Sequence, residues 1–337
     1  MNYEEAVKSI WHHSEATLSD ETELLKEVVR YATLAPSGHN TQCWRFRIED
    51  RSIAILPDFS RRTPVVDPDD HHLYVSMGCA AENLVQAARA FGFMGDAEFS
   101  SVSEVITVAL ERSRAEESHL FKAIPYRQCT RADFDGRPLS SGELHLLELA
   151  GTGDGVALIL LTEREAMEKV LEYVLEGNRM QINNPAFVSE LEGWIRFSDS
   201  EAIRTGDGLP ARAAGNPPAP RWLGRLLFRA SFRAGPQNNK YARQIRSSAG
   251  IAVFVSNVDD KAHWVEAGRC YERFALQATA LDIRCAFVNQ PIEEPRLRPD
   301  FAKALGLGEG RPDLVVRFGR GAEMPRSLRR PVEAVLL

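Results

Sequence analysis

Ala35-Pro36-Ser37-Gly38-His39-Asn40-Thr41-Gln42-Cys43-Trp44 is the stretch on which the reading of this chain turns. Pro36 ends any helix that precedes it, Ser37 and Gly38 suit a tight turn, and Asn40 and Gln42 place amides at alternate positions. An amide donates and accepts at once, so two amides spaced in this way match the edge of a planar ligand that alternates acceptors with N–H donors. The same residues also suit a helix-terminal turn whose Asn and Gln satisfy nearby backbone groups.

Upstream, Leu24, Leu25, Val28, Val29 and Ala32 recur at helical spacing behind the capping-type run Ser19-Asp20-Glu21-Thr22, which predicts a helix that stops before Pro36. Downstream, 44–48 and 52–56 read as two strands of a hairpin around Glu49-Asp50-Arg51. A long helix over 73–91 follows, and its alanine-rich part would let another element approach closely, so it belongs in the core. A strand is expected at 105–110. Near Pro125 the pattern restarts with a basic, turn-rich stretch (126–138), a helix at 140–149 and a strand at 156–161.

A helix over 265–282 lines up with the one over 75–92: Gly78 with Gly268, Glu82 with Glu272, Ala88 with Ala278 and Ala90 with Ala280. Both are followed by a strand-like run. A tandem repeat is the expectation, with halves at 1–122 and 123–337. Residues 177–240, rich in Asn, Gly, Pro and Arg, read as a helix, a loop at 206–220 and a short basic helix, with Trp194 and Trp222 as anchors. This insertion is predicted to pack over something as a lid. Strands at 251–256 and 314–318 precede a basic tail, Arg326-Ser327-Leu328-Arg329-Arg330-Pro331. The class is α+β, each half having an antiparallel-containing sheet flanked by helices.

The formal net charge of −6 over 337 residues gives no pull toward nucleic acid or an anionic membrane. Five cysteines, none in a C-x-x-C pair, signal neither a disulfide framework nor a zinc site. No signal peptide and no run of apolar residues long enough to span a bilayer is read, so a cytoplasmic setting is expected.

Arg127-Gln128-Cys129-Thr130-Arg131 places two guanidiniums around a short turn, which suits a phosphate held by charge-assisted hydrogen bonds, or else is a solvated basic turn. His71-His72 beside Asp67, Asp69 and Asp70 invites a metal, but adjacent histidines point apart, so a capped, solvated helix start is preferred and no metal is assigned. His39 could donate a proton, although a polar loop residue is the simpler reading. Gly306-Leu307-Gly308-Glu309-Gly310 precedes a strand and lacks the context of a phosphate cradle. Glu293-Glu294 and the other carboxylates suggest no acid–base pair, and no catalytic residue is assigned. The cluster of Arg225, Arg229, Arg233, Tyr241, Arg243 and Arg246 falls in the lid and reads as lid surface rather than a nucleic-acid site.

The 35–44 stretch resembles the A-P-S-x-x-N-x-Q-P-W motif of the nitroreductase family, with Cys43 at the usual proline. Arg127 to Arg131 resembles the family's R-x-S-x-R phosphate clamp, with Cys129 at the usual Ser or Thr, and Arg329-Arg330-Pro331 resembles its closing basic motif. The order of these with Arg61 to Asp69, Trp194-Ile195-Arg196, Asp207-Gly208-Leu209-Pro210 and His263 to Gly268 resembles the tandem, single-chain, Acg-like branch of that superfamily. The resemblance implies an FMN-binding site. Pro36, Ser37, Gly38, Asn40 and Gln42 would face the flavin ring, with Asn289 of Phe287-Val288-Asn289-Gln290-Pro291 beside N5. Arg127, Cys129, Arg131, Arg329 and Arg330 would hold the phosphate.

In the family a homodimer builds two such sites from both subunits. Here the first half has no R-x-x-x-R, and the second has Gly151-Thr152-Gly153-Asp154-Gly155 where a second P-S-x-x-N-x-Q would stand, which implies one FMN per chain. The implied activity is NAD(P)H-dependent two-electron reduction of a small-molecule acceptor, a nitroaromatic, quinone or similar compound, by hydride transfer through flavin N5. The alternative is an FMN-binding or storage protein with a lid-closed site and little turnover. Fusion of the halves implies a monomer.

Overall fold

The computed structural model describes residues 1–14 and 20–337; Ser19 of the predicted capping run lies outside them. Asp20 caps the helix Glu21–Thr33, accepting from the backbone of Glu23, and the helix buries Leu25, Val28, Val29 and Ala32. The hairpin forms as read, Trp44–Glu49 against Ser52–Pro57 in a register that leaves Asp50 and Arg51 as the turn. Val105–Ala109 and Ala97–Ser100 complete a four-stranded antiparallel sheet.

A second four-stranded antiparallel sheet is built in the order Arg284–Phe287, Arg311–Gly319, Gly250–Ser256, Val156–Leu161. Every residue of its two central strands is buried, so this sheet is covered on both faces. The fold is thus α+β, with antiparallel open sheets.

Between the sheets lie two twenty-residue helices, His71–Ala90 and Lys261–Ala280, packed on one another. Their contact is reciprocal. A Cβ on Gly78 would lie 2.0 Å from the carbonyl oxygen of Val265, and one on Gly268 would lie 2.0 Å from that of Val75. Only glycine allows both backbones so near. The contacting residues occupy matching positions in the two helices, so the pair is related by a local two-fold relation.

The insertion departs from the expected bounds. Position 177 falls within an unbroken helix, Arg164–Asn183, and position 240 within another, Ala234–Arg246. Between them come the helices Pro185–Trp194, Asp199–Thr205 and Arg221–Ser231. Trp222 is no anchor: it is 71% exposed. The apolar side of its helix turns Gly224 onto Phe197 and leaves Trp222 outward. Arg225 and Arg229 both pair with Glu192, Arg243 with Asp133 and Arg246 with Glu168, so most of this basic cluster is neutralised locally.

The final residues cross to the first sheet. Phe46 N–H donates to Val335 O at 2.8 Å, and Leu337 N–H to Phe46 O at 2.9 Å, adding a parallel strap to the edge strand. No helix is long and apolar enough to cross a membrane among the described residues.

Candidate functional site

The 35–44 stretch leaves the Glu21–Thr33 helix and turns back through three residues in the left-handed region, His39 (φ 48°), Asn40 (φ 53°) and Gln42 (φ 53°). Such backbone is costly for residues other than glycine and persists only where the surroundings hold it. Ser37 Oγ accepts from Gln42 N–H at 2.9 Å, and Gly38 N–H donates to Ser76 Oγ at 3.3 Å. The amides then reach across the fold. Asn40 Nδ2 donates to the carbonyls of Gly208 and Leu328, and its Oδ1 accepts from Arg329. Gln42 Nε2 donates to Gly206 O at 2.9 Å while its Oε1 accepts from Arg330 N–H at 2.8 Å. These two side chains tie the insertion and the tail to the first half.

Arg329 is buried and spends its donors on Thr33, Leu34 and Ala35 carbonyls at the end of the Glu21–Thr33 helix, as well as on Asn40. A guanidinium there satisfies carbonyls that a helix terminus leaves unpaired. Burial, followed by the neighbouring Arg127, pulls its pKa down to about 9. Arg330 donates to Gln42 O and Ala334 O.

Two adjoining cavities meet at Pro36, Ser37, Arg131, Leu209 and Phe287. The first is basic and is lined by Asn40, Arg127, Cys129, Arg326 and Arg329 besides the shared residues. Arg127 is fully buried, with Nη2 donating to Leu34 O and Nε 3.1 Å from Glu272 Oε1, while Nη1 has no hydrogen-bond partner. Arg326 joins the Arg127 and Tyr126 carbonyls and lies over Trp11. Among the described residues the Arg131 side chain, half-buried at the junction, has neither an ion pair nor a hydrogen bond. An unpaired guanidinium beside an orphaned buried N–H fits an anionic group such as a phosphate.

The second cavity, of about 260 Å³, is lined by Gly38, His39, Ser76, Cys79 and Asn289 on the core side, and by Phe187, Leu191 and Phe232 from the insertion. A Cβ built on Gly38 meets nothing within 4 Å, so this backbone borders open space. Asn289 Oδ1 accepts from Val315 N–H at 2.8 Å, which orients the amide. Burial, then Arg131 and His72, pulls the His39 pKa down to about 4, so the imidazole is neutral.

Of the residues singled out in the sequence, Pro36, Ser37, Gly38, Asn40, Arg127, Cys129, Arg131, Asn289 and Arg329 line this double cavity, whereas Gln42 and Arg330 line neither part. Arg326 was within the quoted tail but not singled out; it lies three positions before Arg329. His71 and His72 are not a solvated helix start. His71 is buried with Nε2 3.0 Å from Asp313 Oδ1, and His72 lines the second cavity, while Asp67 accepts from the His72 and Leu73 backbone. Adjacent helical positions were expected to point apart, yet the two ring centroids lie 4.7 Å from each other, because packing against Asp313 and Trp264 turns both rings inward. No cluster of potential metal ligands is present among the described residues.

No protein-family model matches the chain. It is 26% identical over 312 residues to "Putative NAD(P)H nitroreductase Rv3131" of Mycobacterium tuberculosis, covering 89% of this chain and 86% of that protein. It is 23% identical over 330 residues to "Putative NAD(P)H nitroreductase acg" of the same organism, covering 93% and 95%. The resemblance to the nitroreductase superfamily is upheld. A solved nitroreductase with bound FMN from Desulfitobacterium hafniense superposes with a TM-score of 0.40 at 13% identity, over 64% of this chain and 96% of that one. Against the nitroreductase pattern, the chain departs at Cys43 and Cys129. Cys43 is buried with its thiol toward Leu73 O, and Cys129 forms a backbone bridge with Cys285.

Proposed function

We propose that the chain binds one FMN in the double cavity and uses it to pass two electrons from NAD(P)H to a small oxidised acceptor, a quinone or nitroaromatic. The phosphate end is the basic cavity, with Arg131 and Arg127 as the charged donors and Arg326 beside them. The ring end is bordered by Pro36 to His39 on one side and Asn289 on the other. Bound FMN supplies the hydride-transfer chemistry. The protein orients the ring, holds the phosphate and excludes water.

The observation that carries this reading is Arg131, a cation without a partner among the described residues, at the junction of a basic and a partly apolar cavity. The site draws its ring-side turn from residues before 122 and its phosphate-side arginines from residues after it, which supports one composite site made by two fused halves and a monomeric chain. All five cysteines are free thiols, which supports a reducing, cytoplasmic setting.

The test is FMN uptake followed by anaerobic titration with NADH and NADPH. Stoichiometric yellow protein that bleaches within seconds supports the oxidoreductase; protein that takes up no FMN refutes any flavin reading. The insertion favours a second reading, because Phe187, Leu191 and Phe232 wall the ring-side cavity. A protein reduced by dithionite but not by either nicotinamide supports storage.

A further inference from the structure

The far wall of the ring-side cavity carries a polar cluster that holding a flavin does not use. Glu293, four residues past Asn289, lines the cavity with its side chain 20% exposed. Its Oε2 accepts from Gln181 Nε2 at 2.6 Å, which fixes the carboxyl plane. Its Oε1 lies 3.9 Å from His72 Nε2, and that nitrogen is buried without a hydrogen-bond partner. Beside them Gln290 Nε2 donates to Tyr241 Oη at 2.7 Å. A carboxyl, an imidazole and a phenol, walled by phenylalanine and leucine, thus face the same space as the 36–39 turn.

Resting on the FMN reading, the geometry points to Glu293 as the group that binds the oxygen of a two-electron acceptor and delivers a proton to it, with His72 and Gln181 as positioning residues. The acceptor class this selects carries an oxygen that becomes basic on reduction, as a quinone carbonyl does. For a quinone the step balances as follows. Bound reduced flavin would supply a hydride, that is two electrons and one proton, to form the O–H bond at one quinone oxygen, and the Glu293 O–H bond breaks as the second O–H bond of the hydroquinone forms at the other oxygen. The carboxylate then regains a proton from solvent.

The protonation states agree with this role. Burial pushes the Glu293 carboxyl up to about 7, helped by Asp67 and Glu294 and opposed by the Gln181 hydrogen bond. Burial, with Arg311 and Arg298 behind it, pulls His72 down to about 4, against Asp69 and Asp313. Tyr241 is likewise held neutral, pushed up to about 12 by burial. Near neutrality about half of the carboxyls therefore carry a proton, and the neutral imidazole stands 3.9 Å away without adding a charge beside them.

The test uses FMN-loaded protein reduced by dithionite, then reoxidised in a stopped-flow instrument by 1,4-benzoquinone or by ferricyanide, which takes electrons without a proton. In Glu293→Gln the ratio of quinone to ferricyanide rates should fall by about 10²-fold. The parent's quinone rate should fall as pH rises through about 7, and that inflection should vanish in the variant. An infrared titration of the oxidised holoprotein should show, in the difference between parent and Glu293→Gln, a protonated carboxyl band lost near the same pH, the buried Glu272 carboxyl that is also pushed up to about 7 cancelling between the two proteins. His72→Gln, which keeps a polar group, should shift the inflection and leave the band present. An unchanged rate ratio, or a parent-minus-variant difference without the titrating band, overturns the inference while leaving FMN binding intact. Failure to take up FMN overturns the functional reading itself.

Discussion

Removing the Arg131 guanidinium separates binding from folding in a way that the protein-bonded Arg127, Arg326 and Arg329 do not allow. Because Arg131 has no protein partner among the described residues, Arg131→Ala strands no carboxylate and opens no buried hole, so the change in folding stability should stay within about 0.5 kcal/mol. A phosphate loses one or two charge-assisted hydrogen bonds, each about 1.5–3 kcal/mol. One bond to two spans roughly 1.5–6 kcal/mol, a Kd about 10- to 10⁴-fold weaker, since about 1.4 kcal/mol is tenfold. The measurement is FMN fluorescence quenching beside urea denaturation of the apoprotein. Riboflavin supplies the control, since it keeps the ring and lacks the phosphate: its Kd should be nearly the same in parent and variant. Equal losses for FMN and riboflavin would refute a phosphate contact, and an FMN Kd within twofold of the parent would refute the site. Arg127→Ala should behave differently. It abandons Glu272, which is fully buried, so it should cost about 3–5 kcal/mol of stability as well as affinity.

Gly78→Ala places a methyl group against the Val265 carbonyl and should destabilise by about 1–3 kcal/mol or more, seen as a lower urea midpoint without a change in cavity residues. Asn40→Ala removes bonds to Gly208, Leu328 and Arg329 together, so about 2 kcal/mol or more should be lost and the 206–220 loop should be cut faster by protease in native buffer. His39 is held neutral by the fold, with a pKa lowered from 6.5 to about 4. The unfolded chain gains that proton first as pH falls, so His39 contributes stability above pH 6.5 that is lost progressively toward 4. His39→Asn, which suits the positive φ, should therefore flatten the decline, by about 2 kcal/mol between pH 6.5 and 5; denaturation curves that keep the same slope in both proteins would refute this.

Local periodicity made the elements legible. The Glu21–Thr33 helix, the Trp44–Pro57 hairpin and the two long core helices lie where their apolar spacing put them, because each is set by neighbours within a few residues. Gly78 and Gly268 could be matched by alignment, yet nothing in their spacing says that each sits on the other's helix. The insertion was harder. Its bounds were drawn where composition changes, but composition does not break a helix that keeps its hydrogen bonds, as Arg164–Asn183 does. At the site, residue type foretold the basic end, since Arg127 and Arg131 are close in sequence. The bonds by which Asn40, Gln42 and Arg329 cross the fold reach residues 160 or more positions away, beyond any local signal. Glu293 looked like one of many carboxylates, and only the wall that Gln181 and His72 build around it gives it a distinct environment.

The strap from Val335 to Leu337 on Phe46 also orders events in time. A ribosome releases this chain from residue 1 onward, so the Trp44–Glu49 edge is made long before its covering strand exists. Until residues 326–337 emerge, that edge is open, the Thr33 and Ala35 carbonyls lack their guanidinium, and the basic cavity lacks a wall. A ribosome-stalled chain ending before 326 should consequently present an adhesive sheet edge and an unfinished basic cavity.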